Sequence, residues 1–327
     1  MRAASYQRTG PAAEVLTLDD LPTPEAGPGE VRVKLATSGI NPSDVKSRAG
    51  LRTKTLAFPR IVPHSDGAGT IDAVGAGVDA ARIGERVWVW NGAWARASGT
   101  AAEYIAVPAA QAVRLPDRVD FAAGACLGIP ALTAYHAVAV DGGVSGKNVL
   151  VAGGAGAVGH YAIQFAKLMG ARQVITTVSN EAKAALAREA GADHVVNYKT
   201  EDLARVCAER TGGQGVDRII ETDLAANAAA DLAALRTEGE IVVYGSGAPE
   251  AAIPFFPALI KHARLRFFIV YTLNAADRVR AVADLTRFLE AGALRHNVAL
   301  RLPLAQIAEA HAIVESGRAL GNVVLDI

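Results

Sequence analysis

Gly154, Gly156 and Gly159 are spaced G-x-G-x-x-G and follow directly on the apolar run at 148–152. Glycines at this spacing let a backbone turn tightly, let it approach a diphosphate, and let the next helix pack close to the strand. The residues that open that helix, Ala157 and Val158, then offer free N–H groups and the positive end of a helix dipole to the phosphates. The motif is weak by itself, so its surroundings decide. An apolar-faced run at 158–169 follows and Gly170 stops it; a second strand-like run, 173–178, comes next. Strand, glycine turn, helix and strand make one βαβ unit of the dinucleotide-binding kind.

The tip of that second strand bears on which dinucleotide. A ribose 2′-hydroxyl is usually held by Asp or Glu about 20 residues past the glycine turn. Here the strand ends Thr177-Val178-Ser179-Asn180, and Lys183 lies one helical turn beyond Ser179. A hydroxyl and an ammonium suit a 2′-phosphate better than a bare ribose. Tyr198, closing the next strand, has a hydroxyl that could reach the same phosphate. The expected cofactor is NADPH. Each residue also has a plain structural use: Ser179 as a helix N-cap, Lys183 on a solvated face, Tyr198 as an edge aromatic.

These residues need a frame. With 327 residues, 51% of them apolar, the chain is long enough for about two domains with real cores. Residues 1–126 read as short alternating strands punctuated by prolines, at 31–36, 67–71, 86–90 and 103–107. From 127 to 270 strands and helices alternate, with strands near 148–152, 173–178, 194–197, 217–221, 240–245 and 264–270. That alternation predicts an α/β, doubly wound Rossmann domain with a six-stranded parallel sheet. Helices near 276–291 and 304–316 and a strand at 322–327 form the tail, so 271–327 is expected to complete the first domain.

Lys+Arg and Asp+Glu both number 33, which gives no basic excess for nucleic acid or an acidic membrane surface. The apolar runs are too short or too Gly-interrupted to span a bilayer, and residues 1–6 lack a signal-peptide core, so a cytoplasmic location is expected. The two cysteines, Cys126 and Cys207, are not in a C-x-x-C pair and read as reduced core residues.

Beyond the glycine turn, several motifs accumulate: Gly39-Ile40-Asn41-Pro42-Ser43-Asp44, Gly67-Ala68-Gly69, Gly84-Glu85-Arg86-Val87, the run from Gly128 to Tyr135, Gly191-Ala192-Asp193, Thr211-Gly212-Gly213 and the run from Ala319 to Leu325. Together they make the chain resemble, over nearly its whole length, the zinc-independent quinone oxidoreductases of the zeta-crystallin type, within the medium-chain dehydrogenase/reductase superfamily. The resemblance implies a GroES-like β-rich domain closed by the tail around an inserted Rossmann domain, with the cofactor in the cleft between them. It also implies a homodimer joined at the Rossmann edge strand, here 264–270.

Zinc-dependent relatives have Cys where this chain has Asn41, His where it has Ser65, and a third ligand near Ile129; no metal is expected. His64 stands where the family commonly has glycine and is read as a pocket-wall or hydrogen-bonding residue. The resemblance puts Asn41 beside the nicotinamide and the substrate. Read locally, Asn41-Pro42-Ser43-Asp44 is also a helix start with Asn at the N-cap, Pro at N1 and Asp at N3. Lys46 replaces a family Tyr and would favour an anionic group, with Asp44 as its local partner. Thr133 is carried over to the carboxamide, Asn227 to the ribose or carboxamide, and the backbone of Phe268, Ile269 and Val270 to the carboxamide. Tyr244, Gly245 and Ser246 end the fifth strand, at the carboxyl edge where such sheets bind ligands. Asn322 stands where relatives often have a Lys near the cofactor. Trp88 and Trp90 share a strand face and read as core, whereas Trp94, in the loop 91–100, could line the pocket mouth.

The chemistry expected is reduction of a quinone, since alcohol oxidation needs a Lewis acid or a base to manage the hydroxyl proton. No side chain is assigned as the catalytic acid or base. The partner is a small-molecule quinone or conjugated carbonyl. An enoyl or 2-alkenal reductase is the alternative enzyme, and an NADPH-loaded binding or crystallin-like protein with weak turnover is the third reading.

Overall fold

The computed structural model describes residues 1–327 and divides into two units, Met1–Pro130 with Val282–Ile327, and Ala131–Ala281. The borders fall after those expected at 126/127 and 270/271, and the second lies inside the helix Ala275–Glu290.

In the first unit, alternation in the long strand Glu30–Ile40 puts Val31, Val33 and Leu35 on one buried face. They pack with Ile71, Val87, Val89, Ile105 and Val107. The seven-stranded sheet runs Val298–Pro303, Asn322–Asp326, Glu30–Ile40, Asp66–Val74, Arg86–Val89, Ala112–Arg114, and Tyr104–Pro108 pairs with Glu30–Ile40. The tail completes this unit: Asn322–Asp326 pairs antiparallel with Glu30–Ile40. Leu304, Ile307 and Ala310 bury against Ala3, Ala4, Ile40 and Val45. The expected helix at 304–316 begins as a tight 3-10 turn, Leu304–Gln306, and is α-helical over Ile307–Glu315. Trp88 is fully buried; Trp90 lies just past its strand and donates from Nε1 to the Ala110 carbonyl at 3.2 Å.

The second unit is the doubly wound sheet. Its strands run His194–Asn197, Gln173–Val178, Asn148–Val151, Val216–Glu221, Leu235–Val243 and Arg264–Phe267 across the sheet, all parallel. In order of appearance this is 3-2-1-4-5-6, so the strand order reverses beside Asn148–Val151, the strand that feeds the glycine turn. Leu150, Ile175, Val196, Ile219 and Ile241 fill one core layer with Leu224, Ala228 and Leu232 of the helix Leu224–Ala234. The last strand is shorter than expected: it ends at Phe267, and Val270 already belongs to the turn Val270–Thr272.

One internal tie has no signal in the sequence pattern. Arg218, fully buried in the strand Val216–Glu221, is ion-paired to Glu240. It also donates to the carbonyls of Val138 and Val140, at 3.0 and 2.8 Å. It thereby satisfies carbonyls that the helix Leu132–Ala139 leaves free at its C-terminus, and fixes that helix to the sheet. Cys126 and Cys207 are buried free thiols.

Candidate functional site

The glycine turn of the second unit is built from backbone alone. Gly153, not one of the three motif glycines, makes the left-handed step at φ +68°. Gly154 instead packs under the side chains of Thr176 and Ile163. Gly159 lies against the Gly153 carbonyl, where a Cβ would collide with backbone. The loop is pinned from behind. Thr177 Oγ1 accepts from the Gly153 N–H at 3.0 Å, its carbonyl accepts from Gly154 at 3.2 Å, and Thr176 Oγ1 donates to the Val151 carbonyl at 2.7 Å. Gly156 is exposed and is the N-cap of the helix Ala157–Leu168, with no side chain capping it. The first intrahelical bond at this end is His160 N–H to the Gly156 carbonyl, so the N–H groups of Ala157, Val158 and Gly159 are left for a ligand. An exposed, uncapped helix start beside two bare glycines fits the diphosphate of a dinucleotide.

At the tip of the second strand, Ser179 and Lys183 are half-buried and Tyr198 is 56% exposed. The N-cap is Asn180 rather than Ser179. Its side chain accepts from the Lys183 N–H at 3.0 Å, because Asn180 is the residue whose extended backbone leads into the helix Glu181–Glu189. Ser179 is thus not needed as a cap. Glu181, the nearest acid, pairs with Arg188 at 2.5 Å.

The ends of the fourth and fifth strands are joined through one buried carboxylate. Glu221 accepts from the Asp223 N–H and from Asn227 Nδ2, the latter at 3.0 Å. Asp223 Oδ1 in turn accepts from Gly247 N–H at 2.7 Å, which ties this loop to Tyr244-Gly245-Ser246. Burial pushes the Tyr244 phenol up. The Phe268 ring is tilted against those of Tyr244 and His136, with ring centroids 6.4 and 4.6 Å away. His136 is one helical turn past Thr133 on Leu132–Ala139, and burial lowers its pKa. Sequence reasoning missed His136; its i, i+3 spacing from Thr133 was the available signal. A cavity of about 320 Å³ opens here, lined by Tyr244, Ser246, Ile253, Phe267 and Phe268. Of the backbone groups expected to meet a carboxamide, the Phe268 N–H goes to the Val243 carbonyl and the Val270 carbonyl takes Arg278. Ile269 is 39% exposed.

The first unit holds a different arrangement. Pro42 is N1 and Asp44 is N3 of the helix Pro42–Arg48, and Asp44 accepts from the Asn41 N–H at 2.8 Å. The Asn41 side chain turns to Asp66, donating from Nδ2 to Oδ2 at 2.9 Å. Asn41 and Asp66 are buried, and burial raises the Asp66 carboxyl well above its usual range, with Asp44 adding to the effect. Asp44 is raised to about 7 by burial, against the opposing pull of the Asn41 N–H and the Arg52 charge.

His64 is fully buried, and both of its ring nitrogens are hydrogen-bonded. Its φ is +76°, in the left-handed region that favours glycine, as the family preference at this position implies. It belongs to a chain of four side chains whose direction is fixed by one carbonyl. Thr100 Oγ1 donates to the Asp66 carbonyl at 2.5 Å, so it must accept from Ser38 Oγ at 2.8 Å. Ser38 must then accept from His64 Nδ1 at 2.9 Å, and His64 Nε2 must accept from His311 Nε2 at 2.8 Å. This last direction holds because burial keeps both imidazoles neutral. Burial lowers His64 well below its usual value, with the neighbouring His311 adding to the effect, and lowers His311 to about 3, with the Arg48 charge adding to the effect. The side chain of Asn322 donates from Nδ2 to the Asn297 carbonyl at 3.1 Å. Trp94 is 40% exposed, and Lys46 half-buried. No group of three or more His, Cys, Asp or Glu side chains is arranged to hold a metal ion.

Residues 27–117 match the alcohol dehydrogenase GroES-like domain family, and residues 157–287 the zinc-binding dehydrogenase family. The chain belongs to the medium-chain dehydrogenase/reductase superfamily. It is similar to a quinone oxidoreductase of Pongo abelii, 31% identical over 99% of this chain and 97% of that one. It is also similar to a 2-haloacrylate reductase of Burkholderia sp, 30% identical over 99% and 98%. Among solved structures, an NAD-dependent alcohol dehydrogenase matches with a TM-score of 0.92 at 32% identity. A mycobacterial protein complexed with NADPH matches with a TM-score of 0.88 at 31% identity, and both matches cover 100% of both chains. The protein is thus an oxidoreductase that uses a nicotinamide cofactor.

Proposed function

We propose that this protein is an NADPH-dependent reductase of quinones that works without a metal. The observation that carries the cofactor choice is the tip of the second strand, where Ser179 and Lys183 flank a cap made by Asn180 and the one nearby acid, Glu181, is held by Arg188. The solved neighbours differ on this point, one NAD-dependent and one holding NADPH, so the choice rests on this chain's own residues.

Bound NADPH supplies a hydride. The protein's part is to bind the diphosphate on the Gly153–Gly159 turn and to orient the nicotinamide half with Thr133, Asn227 and the Tyr244–Ser246 loop. A quinone suits this set of residues. In the first unit Asn41 and Asp66 are bonded to each other, and Thr100, Ser38, His64 and His311 are bonded in series. The oxyanion left by quinone reduction can take its proton from water, so no side-chain acid is required.

A second reading, reduction of a conjugated C=C bond, is favoured by the 2-haloacrylate reductase relative and by Lys46, whose cation would suit a carboxylate-bearing acceptor. Anaerobic NADPH oxidation with 1,4-benzoquinone, 9,10-phenanthrenequinone, 2-chloroacrylate and 2-alkenals in parallel, repeated with NADH, separates these readings. Fast NADPH-preferring turnover of quinones supports the first. Turnover confined to acrylates or alkenals replaces it with the second, and tight NADPH binding without any turnover leaves a binding role.

The homodimer belongs to the same reading. Arg264–Phe267 is the edge of the parallel sheet, with Phe267 60% exposed and Phe255 and Phe256 76% and 65% exposed nearby in the chain. A bare strand edge beside apolar surface suits a second copy of this chain. Light scattering should give a dimer, and Phe267→Glu a monomer; a wild-type monomer would remove the assignment.

A further inference from the structure

Two carboxylates of the second unit, Glu221 and Asp231, take no part in the reading above and are almost completely buried, at 0% and 1% exposure. Glu221 ends its strand, and Asp231 is on the helix Leu224–Ala234 that starts three residues later. The Asp231 carboxyl lies within the electrostatic reach of Glu221, and no basic side chain stands between them to neutralise the pair. Glu221 Oε2 and Asp231 Oδ2 are both buried and neither receives a donor from the protein. Two carboxyl oxygens facing each other in a buried site are compatible only if one proton lies between them.

The proton's place follows from the donors. Glu221 already accepts two N–H groups on Oε1, from Asp223 and from Asn227 Nδ2, so it is suited to be the anion. Asp231 then carries the proton and donates the third hydrogen bond. Burial raises the Asp231 carboxyl to about 9, and the Glu221 charge and hydrogen bond add to the effect. The surrounding groups are Cys207 on the helix Leu203–Arg210, whose thiol burial raises to about 12, the Tyr244 phenol, and Asp223. Lys261 reaches the carbonyls of Ala233 and Leu235 at the far end of the helix, not the carboxylates.

The consequence is at Asn227. Because Nδ2 is given to Glu221, the amide is held against a flip and Oδ1 is its remaining acceptor, in the first turn of the helix that follows the fourth strand's carboxyl end. An acceptor there suits a ribose hydroxyl or a carboxamide N–H. We propose that Glu221 is a positioning residue for the nicotinamide half of the dinucleotide: it holds Asn227 with Oδ1 left to accept, and Asp231 keeps Glu221 in place by supplying the one shared proton. This rests on the reading that the Asn227 loop meets the dinucleotide.

The test is calorimetric titration with NADPH, and with 2′,5′-ADP as a fragment lacking the nicotinamide half, between pH 6.5 and 10. Wild-type affinity for NADPH should fall above pH 9, by at most about tenfold per pH unit, as the pair loses its proton and the two charges repel. The 2′,5′-ADP affinity should not share that fall. Asp231→Asn donates to Glu221 without titrating, so the extra fall should disappear; Glu221→Gln, which donates to Asp231 and accepts from Asn227, should also abolish it. Asn227→Ala should weaken NADPH about threefold to tenfold and leave 2′,5′-ADP unchanged. The proposal is overturned if both pair variants follow the wild-type profile, or if Asn227→Ala binds NADPH as the wild type does. Failure of the wild type to bind NADPH or NADH at pH 7 would instead sink the functional reading on which it rests.

Discussion

The two units handle polar groups in opposite ways. In the second unit the glycine turn leaves backbone N–H groups bare at an exposed helix start, with Thr176 and Thr177 bracing the loop from behind. In the first unit the polar side chains of Ser38, Asn41, His64, Asp66, Thr100 and His311 are buried and bonded to one another. One arrangement is made to be completed by an external anion. The other is bonded mainly within itself, with only Asp66 Oδ1 and His311 Nδ1 left without a partner, and its burial keeps two imidazoles neutral. Binding strength should therefore reside in the first kind of site and pH sensitivity of folding in the second.

The sharpest way to break this contrast is at Gly159. Gly159→Val places side-chain atoms on the Gly153 backbone, so the turn must open. We expect about 3 kcal/mol of destabilisation of the second unit, measured by chemical denaturation; a loss under about 0.5 kcal/mol would mean the turn is not held as described.

The first unit is probed by acid. The His311 pKa is near 3 when folded and near 6.5 when unfolded, so below pH 6.5 the unfolded chain binds a proton that the native state refuses. Stability from this group is complete above pH 6.5 and falls as pH drops toward 3, by up to about 1.4 kcal/mol per pH unit. His311→Gln keeps a donor to His64 without titrating. Its denaturation midpoint should fall less than that of the wild type between pH 7.5 and 5; parallel curves would show that His311 titrates normally.

A smaller effect belongs to the half-exposed Lys183. Lys183→Ala should weaken NADPH about fivefold, since a solvated ion pair is worth about 1 kcal/mol, and leave NADH unchanged. Equal losses for both dinucleotides would place Lys183 away from the 2′-phosphate.

The backbone half of this contrast was legible in the sequence, and the side-chain half was not. Glycine spacing and strand–helix alternation are local patterns, so the turn and four of the six Rossmann strands fall within a residue of where they are expected, while the fifth, expected at 240–245, spans Leu235–Val243 and ends before Tyr244. The errors there are local too. Gly153 takes the left-handed step because the motif glycines serve packing and access, and Asn180 displaces Ser179 as cap by one position. The sixth strand stops at Phe267 because Val270 enters a turn whose carbonyl is bound by Arg278. The buried chain is of another kind. His64 and His311 are 247 residues apart in sequence, and Arg218 bonds carbonyls about 80 residues away, and no periodicity announces such contacts. Asn322 was legible as a strand residue but not as the partner of Asn297, for the same reason.

The central claim is that the bare helix start at Gly156 holds the dinucleotide diphosphate. Gly156→Asp tests it without endangering the fold. The residue's φ of −75° and ψ of 168° suit an aspartate N-cap, and a Cβ there meets only the Gly153 carbonyl, at 3.2 Å. The new carboxylate would take the N–H groups for itself and repel the phosphates. In a calorimetric titration the account predicts stoichiometric NADPH binding by the wild type and at least about a hundredfold weaker binding by a Gly156→Asp protein of unchanged or higher thermal stability. NADPH binding of wild-type strength by that variant would contradict it.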